Sequence, residues 1–221
     1  MSALLKVQNV YLSYTSGSNQ VKVLQGINLD VNSSESISVM GESGSGKTSL
    51  IMLISGLERV SSGSIIFQDR DITKLSEDEL AELRRKHIGI VFQSYYLIPN
   101  YSALENVCLT LEINKEKNIE TKAKEILDRF GLKERLNNLP SQLSGGEQQR
   151  VAIARSLVVK PSLILADEPT GNLDSENSKM ISDMLINYVR EENSSLVLVT
   201  HDDNLASRAQ RKIKIKDGKV I

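Results

Sequence analysis

The 221-residue chain reads as an α/β protein with a mainly parallel central sheet. Three observations predict this. Short apolar runs, Ile37-Ser38-Val39-Met40, Leu163-Ile164-Leu165-Ala166 and Leu196-Val197-Leu198-Val199-Thr200, have the length of strands buried on both faces. Helical segments alternate with them, the order that builds parallel sheets. Hydrophobic residues make up 40% of the chain and charged residues 25%, the balance of a globular protein with a real core.

The elements follow in order. Leu5, Val7 and Asn9 alternate with Lys6, Gln8 and Val10, and a second alternating run covers residues 23–31; both predict strands. Thr15-Ser16-Gly17-Ser18-Asn19 between them predicts a turn. After the strand at residues 37–40 comes a Gly/Ser loop and an apolar helix over residues 48–57. Further strands are expected at residues 65–67 and 88–92. Residues 76–85 form a charged helix, with Ser76 as N-cap and Glu79 three residues later as its capping-box partner. Residues 94–140 read as mostly helical, with Ala123, Ile126, Leu127 and Phe130 at helical spacing. A helix from about Gly146 to Val159, the strand at 163–166, a long helix over 176–191 and the strand at 196–200 restore the alternation. The closing residues 212–221 alternate on both sides of Asp217-Gly218, a hairpin signal whose lysines form the solvated face of an edge strand.

Composition narrows the function. Lys and Arg number 27 against 28 Asp and Glu, a formal charge of -1, so a general nucleic-acid binder is not expected. The single cysteine, Cys108, has no disulfide partner and sits among apolar neighbours, where a small buried hydrophobe is expected. The N-terminus lacks the apolar stretch of a signal peptide, and no run reaches the roughly 18 apolar residues of a membrane span. A cytoplasmic protein is expected, with any membrane role carried by a partner chain.

Gly41-Glu42-Ser43-Gly44-Ser45-Gly46-Lys47-Thr48 fits the G-x-x-x-x-G-K-[ST] phosphate loop at every fixed position. Glycines let the backbone curl around phosphates with its N–H groups inward, and the following helix start adds positive partial charge. Lys47 reaches the β- and γ-phosphates, and the Thr48 hydroxyl is a ligand for Mg²⁺. These eight residues and Ser49 are the candidate ATP-binding set. Asp167 and Glu168 end an apolar strand, where ligands gather in a parallel sheet. Asp167 is the candidate metal ligand and Glu168 the candidate general base.

Leu143-Ser144-Gly145-Gly146-Glu147-Gln148-Gln149-Arg150 is a small-residue loop opening onto a helix, which makes a second anion site. It resembles the LSGGQ signature of ABC ATPases, with Glu147 in place of the final Gln. The resemblance implies a P-loop NTPase fold of the ABC type over nearly the whole chain, as a single domain. Its RecA-like core and antiparallel β part would occupy about residues 1–93 and 141–221, and its helical subdomain about 94–140. It also implies a dimer, of like or unlike subunits, in which Ser144, Gly145, Gly146 and Glu147 of one chain cap the γ-phosphate held by the other. Gln93 resembles the Q-loop glutamine, implied in both metal sensing and catalysis. Gly171-Asn172-Leu173-Asp174 resembles the D-loop, placing Asp174 at the nucleotide. His201 resembles the switch histidine at the γ-phosphate, and Tyr14 the aromatic that stacks on adenine.

Within that family the strings Lys86-His87-Ile88-Gly89-Ile90-Val91-Phe92-Gln93-Ser94, Ala103-Leu104-Glu105-Asn106-Val107 and Ala166-Asp167-Glu168-Pro169-Thr170-Gly171-Asn172-Leu173-Asp174 resemble the lipoprotein-releasing and macrolide-export group, the LolD-, MacB- and YbbA-type ATPases. Two departures stand out: Ser34-Glu35 where these ATPases usually have Gly-Glu, and Thr48-Ser49 in place of Ser-Thr. The resemblance implies an ATPase on the inner face of the membrane. It would power a separate integral permease that docks on Tyr95-Tyr96-Leu97-Ile98-Pro99, for release of a lipoprotein or another hydrophobic substrate. The alternative is an ATPase that regulates a cell-wall hydrolase through a membrane partner, as in the related cell-division ATPases.

Overall fold

Hydrophobic patterning divides the strands into two sheets in the computed structural model, which describes residues 3–16 and 19–221. Gly17 and Ser18 of the expected first turn lie outside the described residues, as do Met1 and Ser2 of the N-terminal reading. β1 (Ala3–Ser16) pairs antiparallel with β2 (Asn19–Asn32). β3 (Ser36–Met40) then leaves for the second sheet, while β4 (Ser62–Phe67) and β5 (Arg70–Asp71) complete the first in the order β2-β1-β4-β5. The alternation in β1 is interrupted at Asn9, whose φ is 48°. Leu5 and Val7 point inward before it and Val10 and Leu12 after it, because the pairing register shifts between Val7 and Val10. This β-bulge adds one residue and restores the inward face.

The second sheet has the order β10-β9-β3-β8-β7-β6. β6 (Ile88–Val91), β7 (Leu163–Asp167), β8 (Ser195–Val199), β3 and β9 (Arg211–Lys216) run parallel, and β10 (Lys219–Val220) returns antiparallel at the edge. Two apolar clusters explain why its strands look apolar throughout. Leu163, Leu165, Val197 and Val199 pack toward the first sheet and α1 (Lys47–Ile54). Ile164, Ala166, Leu196 and Leu198 pack into the opposite cluster. With both faces covered, successive side chains are all buried. The closing hairpin turns at Asp217 (φ 49°) and Gly218 (φ 74°), both left-handed as a type I′ turn requires, and its lysines are exposed.

The second cluster is built by α3 (Ala103–Ile113), α4 (Ile119–Arg129), α5 (Gly145–Leu157) and α6 (Ser175–Glu191). α2 (Glu77–His87) carries the expected capping box between Ser76 and Glu79. The same device recurs at Ser102–Glu105 and Ser144–Glu147. Several boundaries differ from expectation, three of them with a clear physical reason. α1 begins one residue earlier than Thr48 and stops at Ile54, because the chain turns through Ser55 and left-handed Gly56 (φ 66°). α5 begins at Gly145, not Gly146, because Ser144 has extended backbone and caps it. Residues 94–102 are not helical. They form a loop held from inside by the fully buried Asn106, whose Oδ1 accepts from Ile98 N (2.8 Å). Its Nδ2 donates to the carbonyls of Ile98, Tyr101 and Ser102. Cys108 is only partly buried against the second cluster, and that burial raises its thiol pKa.

Candidate active site

The C-terminal ends of β3, β6, β7 and β8 open on one cavity of about 540 Å³. Its floor is the loop between β3 and α1. A Cβ at Gly41 would collide with the Ile215 carbonyl of β9, so only glycine lets the loop leave the sheet here. Gly46 has φ 100° and caps α1 without a side chain, so backbone alone faces the cavity at the helix start. Lys47 is buried, and its ammonium donates to the carbonyls of Gly41 (2.9 Å) and Glu42 (2.8 Å). Gly41, Glu42, Ser43, Gly44, Gly46, Lys47, Thr48 and Ser49 all line the cavity. Ser45 does not; its buried hydroxyl lies under the loop without a hydrogen-bond partner.

Three other strand ends supply the opposite wall: Gln93 after β6, Asp167 and Glu168 at β7, and His201 after β8. Asp167 is buried, and burial raises its pKa, reinforced by the neighbouring Glu168 charge and opposed by Thr48 and Lys47. Its Oδ1 has no hydrogen-bond partner. A buried carboxylate oxygen left bare, beside a hydroxyl from Thr48, is a donor set suited to a hard divalent cation. Glu168 sits at φ 46°, an uncommon conformation for a non-glycine residue, held by Glu168 N donating to the Val199 carbonyl and Gly171 N to the Glu168 carbonyl. Its Oε2 lies 2.9 Å from His201 Nδ1. Gln93 Nε2 donates to Asn172 Oδ1 (3.0 Å), and Asn172 Nδ2 donates back to the Gln93 carbonyl (3.2 Å).

Ser144, Gly145, Gly146, Glu147 and Asp174 are not part of this cavity. The first four gather at the start of α5, and Asp174 stands at the start of α6. Ser144 Oγ accepts from Glu147 N and the Glu147 carboxylate accepts from Ser144 N (2.8 Å). Glu fills this capping-box role as well as Gln does, which accounts for Glu147 in the motif. That hydrogen bond from Ser144 N, foremost, holds the Glu147 carboxyl below its usual pKa, and Arg135 pairs with it at 2.8 Å. Asp174 caps α6 and accepts from the Asn177 amide (2.7 Å), and the same Asn177 amide packs directly against Gly146. The two segments therefore pack against each other, outside the cavity lined by their own chain's phosphate loop.

Tyr14 lies outside the cavity too. The residue is 44% exposed and its hydroxyl donates to Glu58; Val23 lines the cavity instead. The segment after Gln93 is mixed. Tyr96 is 68% exposed, while Leu97 packs on the second cluster. Arg155 of α5 donates to the carbonyls of Tyr95 (3.1 Å) and Tyr96 (2.7 Å), and the Tyr95 hydroxyl abuts Gly145. Sequence reasoning did not single out Val23, Asn106, Gln149 or Arg155. Among the described residues no helix is long and apolar enough to cross a membrane.

The ABC transporter family model matches residues 24–171. The lipoprotein-releasing system ATP-binding protein LolD of Geobacter metallireducens is 45% identical over 100% of this chain and 99% of its own length. LolD of Hahella chejuensis is 42% identical over 98% and 95%. Two dimeric structures of the ATP-binding cassette MJ0796, one in a post-hydrolysis state with ADP and Pi, superpose with a TM-score of 0.91 at 40% identity, covering 98% of this chain and 96% of theirs.

Proposed function

This chain belongs to the ABC transporter family, and we propose on that premise that it is the ATPase subunit of a lipoprotein-releasing transporter. Full-length similarity to two LolD proteins supports the cargo class. One observation carries the chemistry: Lys47, Asp167, the Glu168–His201 pair and Gln93 meet around a single phosphate-loop cavity.

The phosphate-loop N–H groups and Lys47 bind the nucleotide phosphates, and Tyr14 offers its exposed ring to adenine. Thr48, Asp167 and Gln93 would hold Mg²⁺, which when bound neutralises charge on the transferred phosphoryl group. Glu168 takes a proton from the water that attacks the γ-phosphate. His201 engages Glu168 Oε2, which fixes the carboxylate and leaves Oε1 as the free acceptor for that water. Ser144, Gly145, Gly146 and Glu147 serve the nucleotide of a second subunit, with Asp174 beside them. This explains why they lie outside their own chain's cavity. The assembly sits at the inner face of the membrane through an integral permease, which docks over the exposed Tyr96 and its neighbours.

Capture of the tagged chain from membranes tests this reading. It predicts an integral permease as the co-purifying partner and ATP hydrolysis by the complex. A cell-wall hydrolase regulator as the partner would support the alternative role, and no membrane partner would defeat both.

A further inference from the structure

One buried polar side chain near the site has no part in the chemistry above. Gln149 lies on α5, one turn inside the Ser144 cap, and is 1% exposed. Its Nε2 donates to two backbone carbonyls, Phe92 O at 3.2 Å and Pro169 O at 2.6 Å. Phe92 directly precedes Gln93, and Pro169 directly follows Glu168. Its Oε1 is buried without a partner.

Both carbonyls belong to irregular chain just beyond a strand, and Gln149 adds to the backbone bonds at Glu168 N and the Glu168 carbonyl. The turn after β7 needs such fixing, because Glu168 is held in the left-handed region. On the outer side the same two segments are laced by the reciprocal Gln93–Asn172 bonds, and Gly171 packs against the Gln93 amide. Gln149 laces them from the inner side, and it does so from the helix that begins with Ser144, Gly145 and Gly146.

We propose that Gln149 is a positioning residue that ties the start of α5 to the backbone on either side of Gln93 and Glu168, so that engagement of α5 by a partner's nucleotide sets the geometry of the chain's own hydrolytic residues. The two nucleotide sites of the dimer would then communicate within each subunit through one amide. This rests on the reading that α5 serves the partner's nucleotide.

The test uses the full chain with Gln149→Met, which keeps length and removes the donor, and Gln149→Asn, which keeps an amide but withdraws it by one methylene. Nucleotide affinity is read on each, with phosphate release against ATP concentration. The expected result is affinity within about twofold of the parent and kcat lowered by roughly tenfold or more in Gln149→Met, with cooperativity in ATP falling toward a Hill coefficient of one. Gln149→Asn, which remains polar and serves should the Met variant not fold, lies between. Either folded variant retaining parental kcat and cooperativity overturns the proposal, as does a loss that falls on nucleotide affinity alone. Ser144→Arg, measured alongside, separates the two ideas. If it hydrolyses ATP normally, the trans reading of α5 is wrong; if it fails while Gln149→Met behaves as the parent, only the role of Gln149 is wrong.

Discussion

Replacing Glu168 by Gln probes the proposed base with little change in shape. The backbone bonds at this residue, Glu168 N to the Val199 carbonyl and Gly171 N to the Glu168 carbonyl, do not involve the side chain. The amide is isosteric with the carboxylate and can still meet His201 Nδ1 at the 2.9 Å now seen. What disappears is proton-accepting capacity. Loss of a general base lowers the rate on the order of 10²- to 10⁴-fold, about 2.7–5.4 kcal/mol at 1.36 kcal/mol per decade. Phosphate release under saturating ATP measures this, with binding of a fluorescent nucleotide as the control. Binding should hold, since Lys47 and the phosphate loop are untouched. Lys47→Ala should show the converse, a loss of affinity itself. A Glu168→Gln rate within tenfold of the parent would refute the assignment.

Three further outcomes concern the loop after Gln93. Tyr96→Asp alters a side chain that is 68% exposed, so the isolated subunit should keep its melting temperature and basal ATPase while losing membrane association. Leu97→Asp, on a side chain packed against the second cluster, should lower the melting temperature as well. Asn106→Leu strands Ile98 N and the Tyr101 carbonyl, while the Ile98 and Ser102 carbonyls keep their bonds from Tyr101 N and Asn106 N. At about 1–3 kcal/mol for a buried group left unpaired, a loss near 3 kcal/mol is expected. That corresponds to a fall of roughly 6–12 °C for a domain of this size; a fall under about 3 °C would mean the loop does not depend on this clamp.

Short-range chemistry is what the sequence displays. The capping box at Ser76, the Asp217-Gly218 turn and the both-faces-buried strands are each decided within a few residues, and each is found in the structure. The phosphate loop, Asp167, Glu168, Gln93 and His201 are legible for a related reason. They stand at strand ends, and a parallel sheet brings strand ends together. Asn9 shows where this fails: the bulge depends on how β1 registers against β2 and β4, which no local pattern reports. Gln149, Asn106 and Arg155 are illegible for the same cause. Each is a polar residue on a helix whose partners are carbonyls of a distant loop. Ser34 is intermediate. It stands where a glycine is usual, and its φ of 60° gives the reason for that preference. Its hydroxyl bond to the Asn193 carbonyl and its N–H bond to Ser195 explain how serine is tolerated.

The central claim is that ATP joins the phosphate loop of one subunit to the Ser144 surface of another. Sedimentation velocity of Glu168→Gln, with and without ATP, tests it most directly when compared with the double variant that adds Ser144→Arg. ATP should convert Glu168→Gln to a species of twice the monomer mass. The double variant should bind ATP with similar affinity and stay monomeric, because a bulky cation occupies the helix start that should meet the partner's phosphate. ATP-driven dimerisation of both proteins alike, or of neither, would contradict it.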